Sequence, residues 1–357
     1  LGNSIIDSTL LEINSKPENF LIVIRLIKKI FPWIQNSHYD WNKSIGDSLS
    51  MLSSDVKPLI EDVDDNFKVL YTEITNLKDY ILNTLEQDSS KKDDKKLMDE
   101  EKDKYSKYYD LVKSEQELMF DGYVIRPNHR FSKNKTDSLP PKVLMRISSE
   151  FSSLRKNLPN NWGSSIVLRG CSDNMNIFSF VIVGPEDTPY HNGVFEFHAC
   201  FPSNYPEKEP KVLINTTGGG TVRFNPNLYD CGKVCLSLLG TWQGQDGESW
   251  NKQTSTFLQV LISIQSLILV DEPYYNEPGW ERDMHSEAGM KKAFNYSDNI
   301  RYNTLKWAIV NQYENPPPGF ENFIKQHFYL KKEEILDVTK KWMMESIKFK
   351  EEMTKLR

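Results

Sequence analysis

In the stretch Phe224 to Leu239, a cysteine stands directly before an apolar run and behind a set of turn formers. Asn225-Pro226-Asn227 opens the stretch, Gly232 lies in its middle, and Cys235 precedes Leu236-Ser237-Leu238-Leu239. This layout predicts a thiol on the shoulder of a packed core, reachable from solvent. A thiolate there could attack a carbonyl carbon and hold the acyl group as a thioester. Asn227 lies eight residues earlier, near enough in the chain to fold back over the thiol. A core cysteine is more often just a small hydrophobe. Cys171 and Cys200, in or beside strand-like runs, are assigned that role.

Other chemistries fit less well. A cysteine hydrolase would need a histidine base. None of His38, His129, His191, His198, His285 and His327 lies in the thiol loop, although chain order does not exclude a pair formed by folding. Cys231 and Cys235 form a C-x3-C pair, but no second pair or H-x3-H follows, so no metal site is expected. Gly218-Gly219-Gly220 lacks the Lys-Ser/Thr of a phosphate loop. It reads as a flexible turn or a close backbone approach. No bound cofactor is predicted.

The chain has 357 residues, which at roughly 100–200 residues per domain suggests two or three domains. Its net charge of -6 argues against a broad nucleic-acid-binding surface, which would be strongly basic. A chain this long can bury a core without disulfides. The longest apolar segment, Phe257 to Val270, has 14 residues and carries Gln259, Ser263, Gln265 and Ser266. It is too short and too polar to span a bilayer. The free thiols predict an intracellular, reducing setting, with the cytoplasm as first expectation. The chain begins at Leu1 rather than Met, and a longer parent protein is expected.

The elements that must position the thiol follow from periodicity. Residues 1–87 read as helical. Val63, Phe67, Leu70, Ile74, Leu77 and Ile81 alternate gaps of four and three, the spacing of an interhelical seam or a partner-binding face. Residues 88–104 are almost wholly charged or polar and read as a linker, or as a solvated charged helix. An amphipathic segment covers Tyr105 to Phe120, and a helix fits Pro141 to Leu158. Four strand-like runs follow, Ser165–Leu168, Ile177–Val183, Val194–Cys200 and Lys211–Ile214, punctuated by Gly170, Gly184-Pro185, Asn192-Gly193 and Pro202. Such spacing predicts an antiparallel meander. Further helices are expected over Thr254–Val270, Ile300–Tyr313, Phe320–His327 and Lys332–Lys350. The fold class is α+β, with an extended domain over 105–350 whose core lies at about 140–315.

Several motifs resemble the ubiquitin-conjugating enzymes. Gly184-Pro185-Glu186-Asp187-Thr188-Pro189-Tyr190 with Asn192-Gly193-Val194-Phe195 resembles the family's hairpin between its second and third strands. Phe201-Pro202-Ser203-Asn204-Tyr205-Pro206 and Glu209-Pro210-Lys211-Val212 resemble the segment entering its fourth strand. Asn225-Pro226-Asn227 and Cys235 are similar to the His-Pro-Asn…Cys active-site pattern, and Trp250 to a tryptophan beyond it. The stretches Thr216–Gly220, Gly240–Ser249, Ser266–Val270 and Asn276–Gly279 resemble one branch, the carboxy-terminal conjugating domains of the giant inhibitor-of-apoptosis ubiquitin ligases. Lys306-Trp307-Ala308 and His327 to Lys331 resemble its tail.

The resemblance implies a mechanism, residue by residue. Cys235 would accept ubiquitin from the activating enzyme and transfer it to lysines of protein substrates. Asn227 would stabilise the oxyanion or order the loop that does so. Glu277 stands where the family has an aspartate that positions the lysine and helps deprotonate it. ATP is consumed by the activating enzyme, so no cofactor is implied here. The basic residues Lys142, Arg146, Arg155 and Lys156 match the helix that meets that enzyme. Asn225 replaces a histidine that is mostly structural in the family. Glu207 replaces a phenylalanine that grips RING or HECT ligases, and Lys252 stands near a proline of the same surface, so weak or absent ligase docking is implied. A hybrid of conjugating enzyme and ligase fits these departures. The rival readings are conjugation of another ubiquitin-like modifier and a non-catalytic interaction scaffold of the same fold. Neither nucleic acid nor membrane is expected as a partner.

Overall fold

The computed structural model describes residues 92–346 except 137, 245 and 246, together with Thr72, Thr75, Asn76 and Asp79. Those four are helical. The rest of the helical region expected over 1–87 lies outside the described residues. The chain divides into two units at Asp103/Lys104, and the second holds the sheet and the thiol stretch.

Strands β1 (Ile166–Cys171), β2 (Asn174–Val183), β3 (Val194–Cys200) and β4 (Lys211–Ile214) form one antiparallel sheet in sequential order. The expected bounds of β3 and β4 hold. β1 and β2 run on further, until Cys171 pairs with Asn174. Gly170, expected to end β1, lies inside it. A Cβ there would come within 2.5 Å of the Phe120 ring, so glycine makes room for an aromatic neighbour.

Alternation along the strands sends side chains to opposite faces. Ile166, Leu168, Phe178, Phe180, Ile182, Phe195, Phe197 and Ala199 share the first core. Phe180 and Phe197 face each other across β2 and β3, with ring centroids 5.0 Å apart. Helix α2 (Pro141–Asn157) covers this face with Val143, Ile147, Phe151 and Leu154. Proline at its first position suits a helix start. Helix α3 (Phe257–Ser263) adds Phe257, Val260 and Leu261, and begins at a capping box between Thr256 and Gln259. The expected helix over Thr254–Val270 therefore starts later, and it continues as a π turn over Ile264–Ile268. Leu267 is 61 % exposed, so this element is not apolar-buried all round.

The other face is covered too. Val167, Val181, Val183 and Val194 meet Tyr108 and Val112 of helix α1 (Lys92–Glu117). From the other side they meet Phe320, which caps helix α6, and Phe323, Ile324 and Phe328 within it (Glu321–Glu345). Two expectations are corrected here. Most of the 88–104 stretch, read first as a linker, belongs to α1, because Lys, Asp and Glu sustain a helix once its later turns are packed. The two helices expected at Phe320–His327 and Lys332–Lys350 are one element. Helix α4 (Glu287–Asn303) starts earlier than expected, passes through a π segment at Thr304–Val310 and ends in α5 (Asn311–Glu314).

A buried polar network explains why the tail helix was hard to read. Lys331 is buried on α6, where an apolar residue would have kept the period visible. Its ammonium donates to Asn192 Oδ1 at 2.6 Å and lies over the Trp162 ring at 4.5 Å. Glu334 accepts from His191 at 2.7 Å, Asn192 Nδ2 at 2.9 Å and Trp162 Nε1 at 2.5 Å. These donors hold its carboxyl well below the usual carboxylate range, against the effect of burial, which alone would raise it. Beside it, His327 Nε2 donates to the Asn192 carbonyl at 3.1 Å, so Nδ1 accepts from Tyr108 at 2.9 Å. Burial, reinforced by Lys331, pushes His327 down to about 3. Burial likewise brings Lys331 down to about 8.

These shifts set an acid limit. His327 begins to cost stability once pH falls below its unfolded value near 6.5, and the loss continues toward its folded value near 3. Glu334 adds a loss in the same direction, starting near its unfolded value of 4.5. Stability of the wild-type chain, measured by denaturant unfolding, should fall by up to about 1.4 kcal/mol per pH unit from His327 alone. In His327→Gln the slope between pH 6.5 and 4.5 should flatten. Lys331→Met should cost roughly 3 kcal/mol at neutral pH, because Glu334 and Asn192 lose a buried cation. An unchanged unfolding midpoint would show that the network does not hold α6.

Candidate active site

The thiol stretch crosses back over the end of the sheet. Lys233 forms an isolated bridge with Leu213 of β4, and Leu228 bridges both Asn225 and Val234. Gly232 makes the return possible at φ +96°, where a side chain would collide with Arg130 and the Ile214 carbonyl. Arg130 also donates to the Cys231 carbonyl.

Asn227 and Cys235 meet through two bonds. The Cys235 amide donates to the Asn227 carbonyl at 2.8 Å, and Asn227 Nδ2 donates to the Cys235 carbonyl at 3.0 Å. The fold-back expected from the eight-residue spacing is therefore present. Thr241 clamps the other side: its hydroxyl accepts from the Leu236 amide at 2.9 Å and donates to the Val234 carbonyl at 2.6 Å. With both flanks pinned, Cys235 is only 4 % exposed, whereas the sequence predicted a thiol open to solvent. Cys231, by contrast, is exposed, and all four cysteines are free.

Asn225 holds the turn. It is fully buried. Its Nδ2 donates to the Ile268 carbonyl at 2.7 Å and to the Tyr190 hydroxyl at 3.2 Å. Its Oδ1 accepts from the Asn227 amide at 2.8 Å and from Asn276 Nδ2 at 3.4 Å. Two donors and two acceptor positions are all that an amide has. An imidazole has only two ring nitrogens and could not satisfy the same four groups. Tyr190 passes the connection on, donating to the Phe224 carbonyl at 2.7 Å.

Asn276 carries the next residue, Glu277, to the same neighbourhood. Arg223 joins the two segments: its Nη2 donates to the Pro226 carbonyl at 2.6 Å and lies 3.3 Å from Glu277 Oε2. Its guanidinium also stacks over Tyr229, 4.3 Å from the ring centroid. Cys235, Asn227 and Glu277 thus lie on segments tied together by Asn225, Asn276 and Arg223. Sequence reasoning named the first three and assigned Asn225 a structural role. It missed Arg223 and Thr241, which no motif marks, and Tyr190, which stood in the hairpin motif without a role of its own. Asn276 stood in a recognised motif, but without a role of its own.

The other charged positions are engaged in specific ways. Lys252 donates to Glu207 at 2.8 Å, so these two exposed charges pair with each other. Trp250 packs on Tyr205 and donates to the Pro206 carbonyl at 2.8 Å. Arg146 is held by Glu150 and by the Ser255 carbonyl at 2.6 Å, whereas Lys142, Arg155 and Lys156 are exposed. Among the described residues, no group of three His, Cys, Asp or Glu side chains is placed to hold a metal ion. No helix among them is long and apolar enough to cross a membrane.

Comparison with known proteins recognises the region that runs from α2 through the sheet, the crossing thiol stretch and α3 to the end of α4. The sequence pattern of the ubiquitin-conjugating enzymes matches residues 146–303. This region belongs to the ubiquitin-conjugating enzyme family. Over 204 residues, 57 % of the chain, it is 50 % identical to the probable ubiquitin-conjugating enzyme E2 R521 of Acanthamoeba polyphaga mimivirus, covering 14 % of that protein. It is 48 % identical over 211 residues, 59 % of the chain, to the dual E2 ubiquitin-conjugating enzyme/E3 ubiquitin-protein ligase BIRC6 of Homo sapiens, covering 4 % of it. It is 40 % identical over 210 residues, 58 % of the chain, to the putative ubiquitin-conjugating enzyme E2 38 of Arabidopsis thaliana, covering 62 % of it. The chain therefore spans only a small part of the first two relatives.

The Asn225 arrangement can be tested directly. Asn225→Ala would leave the Ile268 carbonyl and the Asn227 amide without their buried partner. It should cost roughly 2–3 kcal/mol in denaturant unfolding. It should also lower hydrogen-exchange protection at the Asn227 amide. Unchanged protection there would mean that Asn225 does not order the turn.

Proposed function

We propose that Cys235 carries ubiquitin as a thioester and passes it to substrate lysines. The observation that carries this reading is the paired contact between Asn227 and Cys235 inside a conjugating domain. In the charging step, the Cys235 thiolate attacks the carbonyl of ubiquitin thioester-linked to the activating enzyme, and the activating enzyme's cysteine leaves as a thiolate. In the transfer step, a lysine amine attacks the Cys235 thioester carbonyl. An isopeptide bond forms, the Cys235 thiolate leaves, and the amine gives up one proton. Splitting the transfer in two lowers each barrier. The chemistry needs no metal or organic cofactor on this chain.

Asn227 acts by ordering the loop around the thioester. The 3.0 Å bond from its amide to the Cys235 carbonyl supports that role, since it fixes the backbone beside the reacting carbon. Glu277 positions the incoming ammonium and takes up its proton. The low exposure of Cys235 supports a guarded thioester, with less access for water than for a docked lysine. The parent protein is proposed to combine conjugation with substrate selection, a reading supported by the resemblance to a dual enzyme and by the Glu207–Lys252 pair. That pair offers a ligase no apolar anchor. The partners are ubiquitin, its activating enzyme and protein substrates, which sets the chain inside the cell, in the cytoplasm first.

Incubation with activating enzyme, ATP and ubiquitin should give a thiol-sensitive adduct on a non-reducing gel, absent from Cys235→Ala. Cys235→Ser should trap a more stable oxyester. Asn227→Ala should charge normally and discharge to lysine at least roughly tenfold more slowly, since loosening the loop misplaces the reacting carbonyl. Adduct formation with another ubiquitin-like modifier, and none with ubiquitin, would reassign the modifier. Discharge of Asn227→Ala at the wild-type rate would remove its role.

A further inference from the structure

Beside the thiol stretch lies a cleft of about 500 Å³, of a size that takes side chains or small ligands. Trp280, Tyr296 and Trp307 line it, together with Arg223, Lys306 and Glu277. Pro226, adjacent to Asn227, is also part of its wall. The cleft therefore borders the turn that carries Asn227 and includes Glu277 in its wall. Its chemistry is aromatic, with two cations and one carboxylate among those six side chains.

The charges are unevenly paired. Arg223 lies on Glu277, and that pair is part-exposed, at 42 % and 35 % of the two side chains. Pairs of this kind are worth little and exchange readily. Lys306 has its ammonium 5.1 Å from the Trp307 centroid, and no carboxylate lies within ion-pair distance of it among the described residues. Tyr296 has a buried hydroxyl with no hydrogen-bond partner among the described residues. Such an orphan group is satisfied when a ligand supplies one.

An ammonium that takes Glu277 Oε2 displaces Arg223 from it, since that oxygen carries the 3.3 Å contact. The displaced guanidinium then faces the cleft together with Lys306, and both lack an anion. We propose that this cleft reads the residues flanking the acceptor lysine and selects lysines with an aspartate or glutamate nearby. The acceptor ammonium takes Glu277, while the substrate carboxylate takes Arg223 and Lys306. Each charge in the cleft then has an opposite partner, the substrate carboxylate being shared between two cations, and specificity arises from an exchange of partners. The ligand class is an acidic, lysine-bearing peptide segment whose neighbouring apolar atoms rest on Trp280 and Trp307. This inference rests on Cys235 and Glu277 acting as proposed above.

The test is a single-turnover chase. The full chain is charged with ubiquitin, freed of activating enzyme and mixed with one of two short peptides. Both carry one lysine; one has an aspartate next but one to it, the other an asparagine there. At low salt the aspartate peptide should be modified about fivefold faster, the scale of one exposed ion pair. Added salt should shrink the difference. Lys306→Glu, at an exposed position, should abolish or reverse the preference, and its charging on the same gel reports that it is folded. Equal rates for the two peptides with wild type would overturn the proposal and leave the thioester reading intact. A preference that survives Lys306→Glu undiminished would overturn the assignment to this cleft. Failure of wild type to charge at all would overturn the thioester reading, and this one with it.

Discussion

The side-chain amide of Asn225 is buried and saturated, with both hydrogens donated and both acceptor positions filled by groups from separate parts of the chain. Asn227 is on one side of it, Ile268 at the end of the π turn on another, Tyr190 from the hairpin on a third, and Asn276 on a fourth. Buried polar groups are tolerated only when satisfied, and a satisfied network fixes one arrangement. The position of Asn227 over Cys235 follows from this node. So does the placement of Glu277, which directly follows Asn276. Arg223 adds a second, weaker tie on the exposed side. The site thus has a rigid inner bond set and an exchangeable outer one.

The sheet is the support for this arrangement, and it is covered on both faces. The first face carries the large aromatic core. The second is split between the valine patch under α1 and α6 and a polar half built from Ser179, Glu196 and His198. His198 stacks on His129 at 4.0 Å and bonds to Glu196 at 2.9 Å. Burial and the neighbouring His198 hold His129 down at about 4, so it is neutral near pH 7. The tail helix is fixed to the β2–β3 turn by Lys331, Glu334 and His327, and its apolar contacts lie mostly in its first two turns. Position along α6 therefore changes the kind of force that holds it.

Much of this was legible in the sequence where a single periodicity dominates. The runs that became β3, β4 and α2 carry clean apolar patterns between strong turn formers, and their bounds hold closely. The fold-back of Asn227 onto Cys235 was legible from spacing and turn residues. Gly170 was misleading because glycine signals a break and a close approach equally well, and only the Phe120 ring decides between them. α6 was split because His327 and Lys331 contact the core through polar bonds that no hydrophobic period can register. Arg223 was illegible for a related reason. Its meaning depends on Glu277, 54 residues further along the chain, and on a carbonyl three residues away.

The pairing of Lys252 with Glu207 has a consequence for how that surface is seen from a distance. The two side chains are each more than half exposed and 2.8 Å apart. Their fields cancel beyond a few ångströms, and salt screens the remaining dipole within about 10 Å. The pair itself therefore contributes almost nothing at longer range. The charge that still acts on Glu207 from outside the pair is that of Lys142 on α2, so the helix, and not the pair, sets the sign of the field on that side.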